Sequence, residues 1–144
     1  MDIVKRDHFI ALWKKYFNDA ELPVAFYYST ENNNATIVKK AVGHTCIIAQ
    51  LGRVRKGEAL CFLPDSVGCG GGKYYLGFNK SMREGFEYFL SHGENEPRCE
   101  RYKRTPEQVN ALLKTLPVLP RKGDCLVFKR WDMLTEQDKP EAVF

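Results

Sequence analysis

Residues 61–78, Cys-Phe-Leu-Pro-Asp-Ser-Val-Gly-Cys-Gly-Gly-Gly-Lys-Tyr-Tyr-Leu-Gly-Phe, constrain the fold of this chain more than any other stretch. Glycine lacks a Cβ and visits positive φ freely, so Gly70, Gly71 and Gly72 leave the backbone bare and let its N–H groups approach something closely. An apolar strand pattern at 59–63 runs into Pro64, and the aromatic run that opens at Tyr74 begins a helix on the far side of the glycines. Strand, bare turn and helix start must follow one another here. Thiols, amides and one cation, Lys73, are thereby gathered in a place suited to holding a cluster, a metal or an anion.

At 144 residues the chain can bury a core without staples, and it is read as a single domain over 1–144. A hydrophobic share of 44% and an aromatic share of 12% supply that core, while a mean hydropathy of -0.41 argues for a surface facing water. The 22 basic and 18 acidic residues leave 22 − 18 = +4, far from the clustered excess of a nucleic-acid binder. No apolar run approaches the roughly 20 residues that span a membrane, and the first residues, Met-Asp-Ile-Val-Lys-Arg-Asp-His, lack a signal-peptide core. The expected setting is cytoplasmic, without membrane or nucleic-acid partners; assembly into a homo-oligomer stays open.

Cysteine usage agrees with that setting. Cys46, Cys61, Cys69, Cys99 and Cys125 make five, an odd number that speaks for free thiols, metal ligands or a reactive group rather than a disulfide framework. No CxxC pair is present, which removes the zinc-ribbon and thioredoxin spacings.

Element signals are spread along the chain. In 7–18, Phe9, Trp13 and Tyr16 or Phe17 recur at helical spacing behind Asp7, a suitable N-cap. Residues 22–29 are β-rich and read as a strand, and 31–34, Glu-Asn-Asn-Asn, as an exposed turn. The run 44–52 fits a short helix ending at Gly52 or a buried strand, and 53–58 a basic turn before the 59–63 strand. Ser81 and Glu84 make a capping box for a helix that carries Phe86, Phe89 and Leu90 and stops near Gly93. Thr105, Pro106 and Gln108 start another, whose stripe of Val109, Leu112, Leu113 and Leu116 ends at Pro117. A strand covers 125–131, and 141–144 read as the first half of an edge strand. The mixture is α+β: short mixed or antiparallel strands with three to four helices around one core.

Several segments together resemble a known family. Cys61 with Gly-Cys-Gly-Gly-Gly and Tyr-Leu-Gly-Phe inside 61–78, Glu-Arg-Tyr-Lys-Arg-Thr-Pro-Glu at 100–107, Leu-Val-Phe-Lys-Arg-Trp-Asp-Met-Leu at 126–134 and Asp-Lys-Pro-Glu-Ala-Val-Phe at 138–144 are similar, in order, to the uncharacterised domain of unknown function 169 family. The similarity runs from about Leu22 to Phe144. It implies a cysteine near the place of Cys46, a cysteine–glycine segment like 69–72 and a leucine–glycine pair like Leu76 and Gly77, but no established activity. Members continue past the Val-Phe strand, so the chain is expected to be an N-terminal portion of a longer member. Cys99 and Cys125 have no counterpart in the resemblance and stay outside the proposed site.

Three kinds of chemistry fit these residues. Cys46, Cys61 and Cys69 form a candidate metal set, because thiolates suit zinc and iron–sulfur clusters, with His44 able to complete it. Their separations of 15 and 8 residues match no ferredoxin run, and a buried cysteine such as Cys61 can equally be a small hydrophobe. Gly70, Gly71, Gly72 and Lys73 form a candidate loop for a small anionic ligand. It is no Walker loop: three residues rather than four separate Gly68 from Gly72, and Tyr74 stands where Ser or Thr would hold magnesium. Cys69 is also the candidate catalytic thiol of an enzyme whose base would be His44. The expected function is therefore binding of a metal, an iron–sulfur cluster or a small anionic ligand, in redox metabolism. The alternatives are an enzyme using Cys69 and an interaction module without a cofactor. The basic run at 98–104 reads as a solvated loop or part of a ligand pocket rather than a track for nucleic acid.

Overall fold

The computed structural model describes residues 1–91 and 101–144. They divide into two compact units, one joining Met1–Gly72 to Arg121–Phe144 and the other formed by Lys73–Pro120. Cys99, Arg98 and the expected helix stop at Gly93 lie outside the described residues.

The first unit is built on a five-stranded sheet. Strands β1 (Val24–Ser29), β2 (Thr36–Ile37), β3 (Leu60–Phe62), β4 (Cys125–Arg130) and β5 (Ala142–Val143) lie in the order β2-β3-β4-β1-β5. Only β2 and β3 run parallel, so the sheet is mixed, and the fold is the α+β architecture expected from the sequence. Side chains two apart on a strand share a face. Register therefore puts Ala25, Tyr27, Cys61, Cys125 and Val127 on one face, packed with Leu134. The opposite face carries Phe26, Phe62 and Phe128, whose rings meet at centroid distances of 5.8 Å (Phe26–Phe128) and 5.7 Å (Phe62–Phe128).

Helix α1 (Ile3–Phe17) starts earlier than expected. Asp2, not Asp7, is its N-cap: the Asp2 carboxylate accepts from the Lys5 amide at 3.1 Å, while Asp7 pairs with Arg6 at 2.6 Å. The helix docks through Phe9, whose ring lies 5.0 Å from that of Trp131 in the 3-10 turn Trp131–Met133. Of the segment at 44–52, the part from Ile48 on is helical, as one of its two readings had it, but the helix does not stop at Gly52. A 3-10 turn (Ile48–Gln50) leads into α2 (Leu51–Arg55), and the left-handed glycine beyond its end is Gly57, at φ +95°. Arg53 and Arg55, expected in a turn, form its last turn, where cations suit the helix dipole.

Helix α3 (Gly70–Tyr75) begins inside the glycine run rather than after it. Two local devices replace the missing propensity: Cys69 Sγ accepts the Gly72 N–H at 3.3 Å, and Gly77, at φ +65°, ends the helix. There Gly77 N donates to Tyr74 O at 2.9 Å and Phe78 N to Lys73 O at 2.8 Å, the paired bonds of a Schellman end. In the second unit the Ser81 capping box does not form. Gly85, left-handed at φ +72°, precedes the short α4 (Phe86–Phe89), which packs against α5 (Pro106–Thr115). The start of α5 is as expected: Thr105 Oγ1 accepts the Gln108 amide at 3.3 Å, and Gln108 Oε1 accepts the Arg104 amide at 3.1 Å. The described residues thus hold five α-helices instead of three to four, because the 44–52 stretch took the helical of its two readings and ran on as α2. None of the helices among them is long and apolar enough to cross a membrane.

One group of charges is shut inside the first unit. Lys129 is 3% exposed and Asp138 fully buried. Lys129 Nζ donates to both Asp138 oxygens, at 3.0 and 2.9 Å; the Tyr27 hydroxyl donates to Oδ1, and the Thr135 amide and hydroxyl to Oδ2 at 2.7 and 3.0 Å. Burial pushes the Asp138 carboxyl up, but the hydrogen bonds from Tyr27, the Thr135 amide and Lys129 hold it below the usual carboxylate range. Tyr27 is driven upward, first by burial and then by its bond to the carboxylate.

Asp138→Asn keeps the shape and removes the counter-charge of Lys129, so it is expected to lower unfolding free energy by about 3–5 kcal/mol at neutral pH, read from denaturant curves. Because the folded pKa is depressed, the carboxylate's contribution is complete above the unfolded value of about 3.9 and is lost as pH falls through the folded one. Wild type should lose stability across that acidic window, and the variant should lose less.

Candidate functional site

Parallel pairing of β2 with β3 throws the segment after β2 across the sheet toward the turn after β3. Val38 N donates to Cys61 O at 2.9 Å, Ala41 N to Asp65 O at 3.0 Å, and the buried Ser66 hydroxyl to Val38 O at 2.5 Å. At Gly68 the two segments come so close that a Cβ would stand 2.2 Å from Thr45 Oγ1 and 2.7 Å from Gly43 O. Only a residue without a side chain fits. Between these stitches lies a cleft of about 170 Å³. Phe62 and Val67 form apolar wall, and Lys39, Lys40, Thr45, Cys46, Gln50 and Ser66 supply its polar groups. No acidic residue lines it among the described residues. Lys39, Lys40, Thr45 and Cys46 are exposed, so the cations and the thiol are reachable from solvent.

The structure separates the residues that the sequence grouped. Cys46 stands exposed at this cleft. Cys61, one position before Phe62 on β3, faces the other side of the sheet, 1% exposed, hydrogen-bonded to Cys125. Burial, then that neighbouring sulfur, pushes its thiol up to about 12, so it is neutral at physiological pH. Cys125 in turn donates to the carbonyls of Ser29 and Glu31, each at 3.3 Å. Cys69 is half-buried and caps α3 through Gly72. No group of three or more His, Cys, Asp or Glu side chains gathered to hold a metal occurs among the described residues, and His44 is exposed. Gly70, Gly71, Gly72 and Lys73 stay together, but as the first residues of α3 rather than as an open loop.

Sequence reasoning missed Lys39, Lys40, Thr45, Gln50 and Ser66 as members of one cleft. The adjacent lysines ahead of Gly43 were a visible signal; the β2–β3 pairing that turns them toward Ser66 is long-range and left no local trace.

Two measurements follow. Timed alkylation of the native protein should modify Cys46 first and Cys69 more slowly, with Cys61 and Cys125 protected until unfolding, as read by peptide mass spectrometry. Gly68→Ala sets a methyl against backbone atoms of the 43–45 segment and is expected to destabilise by ~1–3 kcal/mol, as overpacking does, with the Cys46 alkylation rate altered in parallel.

The model of the domain of unknown function 169 family, described as an uncharacterised ArCR, matches residues 14–144, nearly all of the chain. No curated protein and no solved structure matches it. The chain belongs to the domain of unknown function 169 family.

Proposed function

We propose that this protein binds a small anionic ligand in the cleft between the 38–50 segment and residues 62–67. The observation that carries the reading is the lining: Lys39 and Lys40 beside the hydroxyls of Thr45 and Ser66 and the Gln50 amide, without a carboxylate among the described residues. Two cations supply attraction, and the Thr45 hydroxyl and the Gln50 amide nitrogen are the neutral donors that can orient what arrives, the Ser66 proton being given to Val38 O. Size narrows the class. A water occupies about 30 Å³ of liquid, so about 170 Å³ holds the equivalent of roughly six. That suits a phosphate, sulfate or short carboxylate and is well below the ~300–1,000 Å³ of sites for drug-sized ligands.

Zinc or an iron–sulfur cluster on Cys46, Cys61 and Cys69 draws less support, since Cys61 would have to leave the core and its bond to Cys125. Thiol catalysis rests on Cys69, a half-buried sulfur that caps α3 and has no hydrogen-bonded base among the described residues. The anionic ligand keeps the expected substrate class and shifts its place from the glycine loop to the neighbouring cleft.

Thermal and denaturant unfolding with inorganic phosphate, sulfate and acetate tests the proposal. An anion present at ten times its Kd should add about 1.4 kcal/mol of stability by mass action, and Lys39→Ala with Lys40→Ala should abolish the gain. Stabilisation that survives in the double variant would place the anion elsewhere.

A further inference from the structure

We propose that the second unit carries an anion site of its own, shaped for the phosphate groups of a small polyphosphate ligand. Residues 101–104, Arg-Tyr-Lys-Arg, border a cleft of about 600 Å³ that Ser91 and Gln108 also line. The run is held at the backbone, leaving its side chains for other use. Lys103 N donates to Leu90 O at 3.1 Å, Arg104 N to Gln108 Oε1 at 3.1 Å, and Thr105 caps α5 next in line. Arg101 adopts a left-handed φ of +43°, a conformation that costs energy for a residue with a side chain.

Among the described residues, none of Arg101, Lys103 and Arg104 forms an ion pair, although Arg6, Arg53, Arg55, Arg121 and Arg130 elsewhere each hold a carboxylate. Three cations on one short segment repel one another across the concavity, and an entering anion relieves that repulsion. Two guanidinium forks match phosphate oxygens bidentately, and Lys103, lying 5.3 Å from the Tyr102 ring centroid, adds a point charge. Extent argues for a small ligand over nucleic acid. The cations occupy a single short segment, whereas a strand-binding groove tracks the backbone over ~4–16 nucleotides with successive aromatic platforms. The volume, more than three times that of the first cleft, suits a di- or triphosphate group rather than a lone oxyanion.

Calorimetric titration of the full chain with inorganic tripolyphosphate tests this, beside Arg101→Ala/Arg104→Ala and Lys39→Ala/Lys40→Ala double variants. Expected is saturable binding that weakens with salt, falls ~10-fold or more in the arginine variant and is unchanged in the lysine variant. Arg101 and Arg104 are exposed, so that variant should melt at the wild-type temperature, separating lost binding from lost folding. Absence of binding, equal affinity in the arginine variant, or loss confined to the lysine variant would overturn the proposal. So would tight binding of a short oligothymidylate by a protein indifferent to tripolyphosphate. Phosphate stabilisation through Lys39 and Lys40 is a separate readout, and either site can fail without the other.

Discussion

Burying a carboxylate costs several kcal/mol unless its oxygens are fully engaged, and at Asp138 five donated hydrogen bonds from Lys129, Tyr27 and Thr135 engage them. The donors come from β4, β1 and the turn after the Trp131–Met133 segment, so one side chain ties its own stretch of chain to a strand 111 residues earlier. Asn33 extends the network, donating to the Tyr27 hydroxyl at 3.3 Å, and the Met1 amine reaches the Asp138 carbonyl at 2.8 Å. With that turn fixed, the chain is delivered to β1 as β5, and Phe144 exchanges backbone bonds with Val24 at 2.8 and 2.9 Å. An apolar core would hold the same layers together. The ionic one also dictates which loop lies where.

The two faces of the sheet divide the labour. One contains this network and the Cys61–Cys125 pair, and is closed to water. The other presents Phe62 and, through the crossing segments at 38–47 and 64–68, a small polar cleft. Residues 61 and 62 are neighbours in the chain and opposites in the fold, because a strand sends successive side chains to opposite faces. This is why a cysteine inside the family signature is structural while the reachable thiol at the cleft is Cys46.

Where local chemistry decided the outcome, the sequence was readable. β1, β3 and β4 lie within the runs expected of them, and the Thr105-Pro106 start of α5 was as written, because alternation, proline placement and capping act over a few residues. The start of α1 slipped to Asp2 because two aspartates could each cap it and the longer helix satisfied the earlier one. The glycine run misled in a more instructive way. Three glycines argue for open loop, yet a sulfur cap at Cys69 and the Gly77 end were enough to wind them into helix. The candidate cleft was the least readable part. It depends on the parallel β2–β3 pair and on the close approach at Gly68, and contacts between segments some twenty residues apart have no period to detect.

Both tryptophans of the chain, Trp13 and Trp131, sit where α1 meets the sheet. Phe9 lies between them, with its ring 5.6 Å from Trp13 and 5.0 Å from Trp131, and the Trp131 indole N–H is enclosed without a partner among the described residues. The protein thus carries a native optical probe of one seam. Its ultraviolet emission reports the docking of the first helix, while the second unit carries no tryptophan of its own, only tyrosines and phenylalanines. Melting followed by fluorescence and by circular dichroism therefore watches different parts of the same molecule, and any gap between the two traces measures how far the units unfold together.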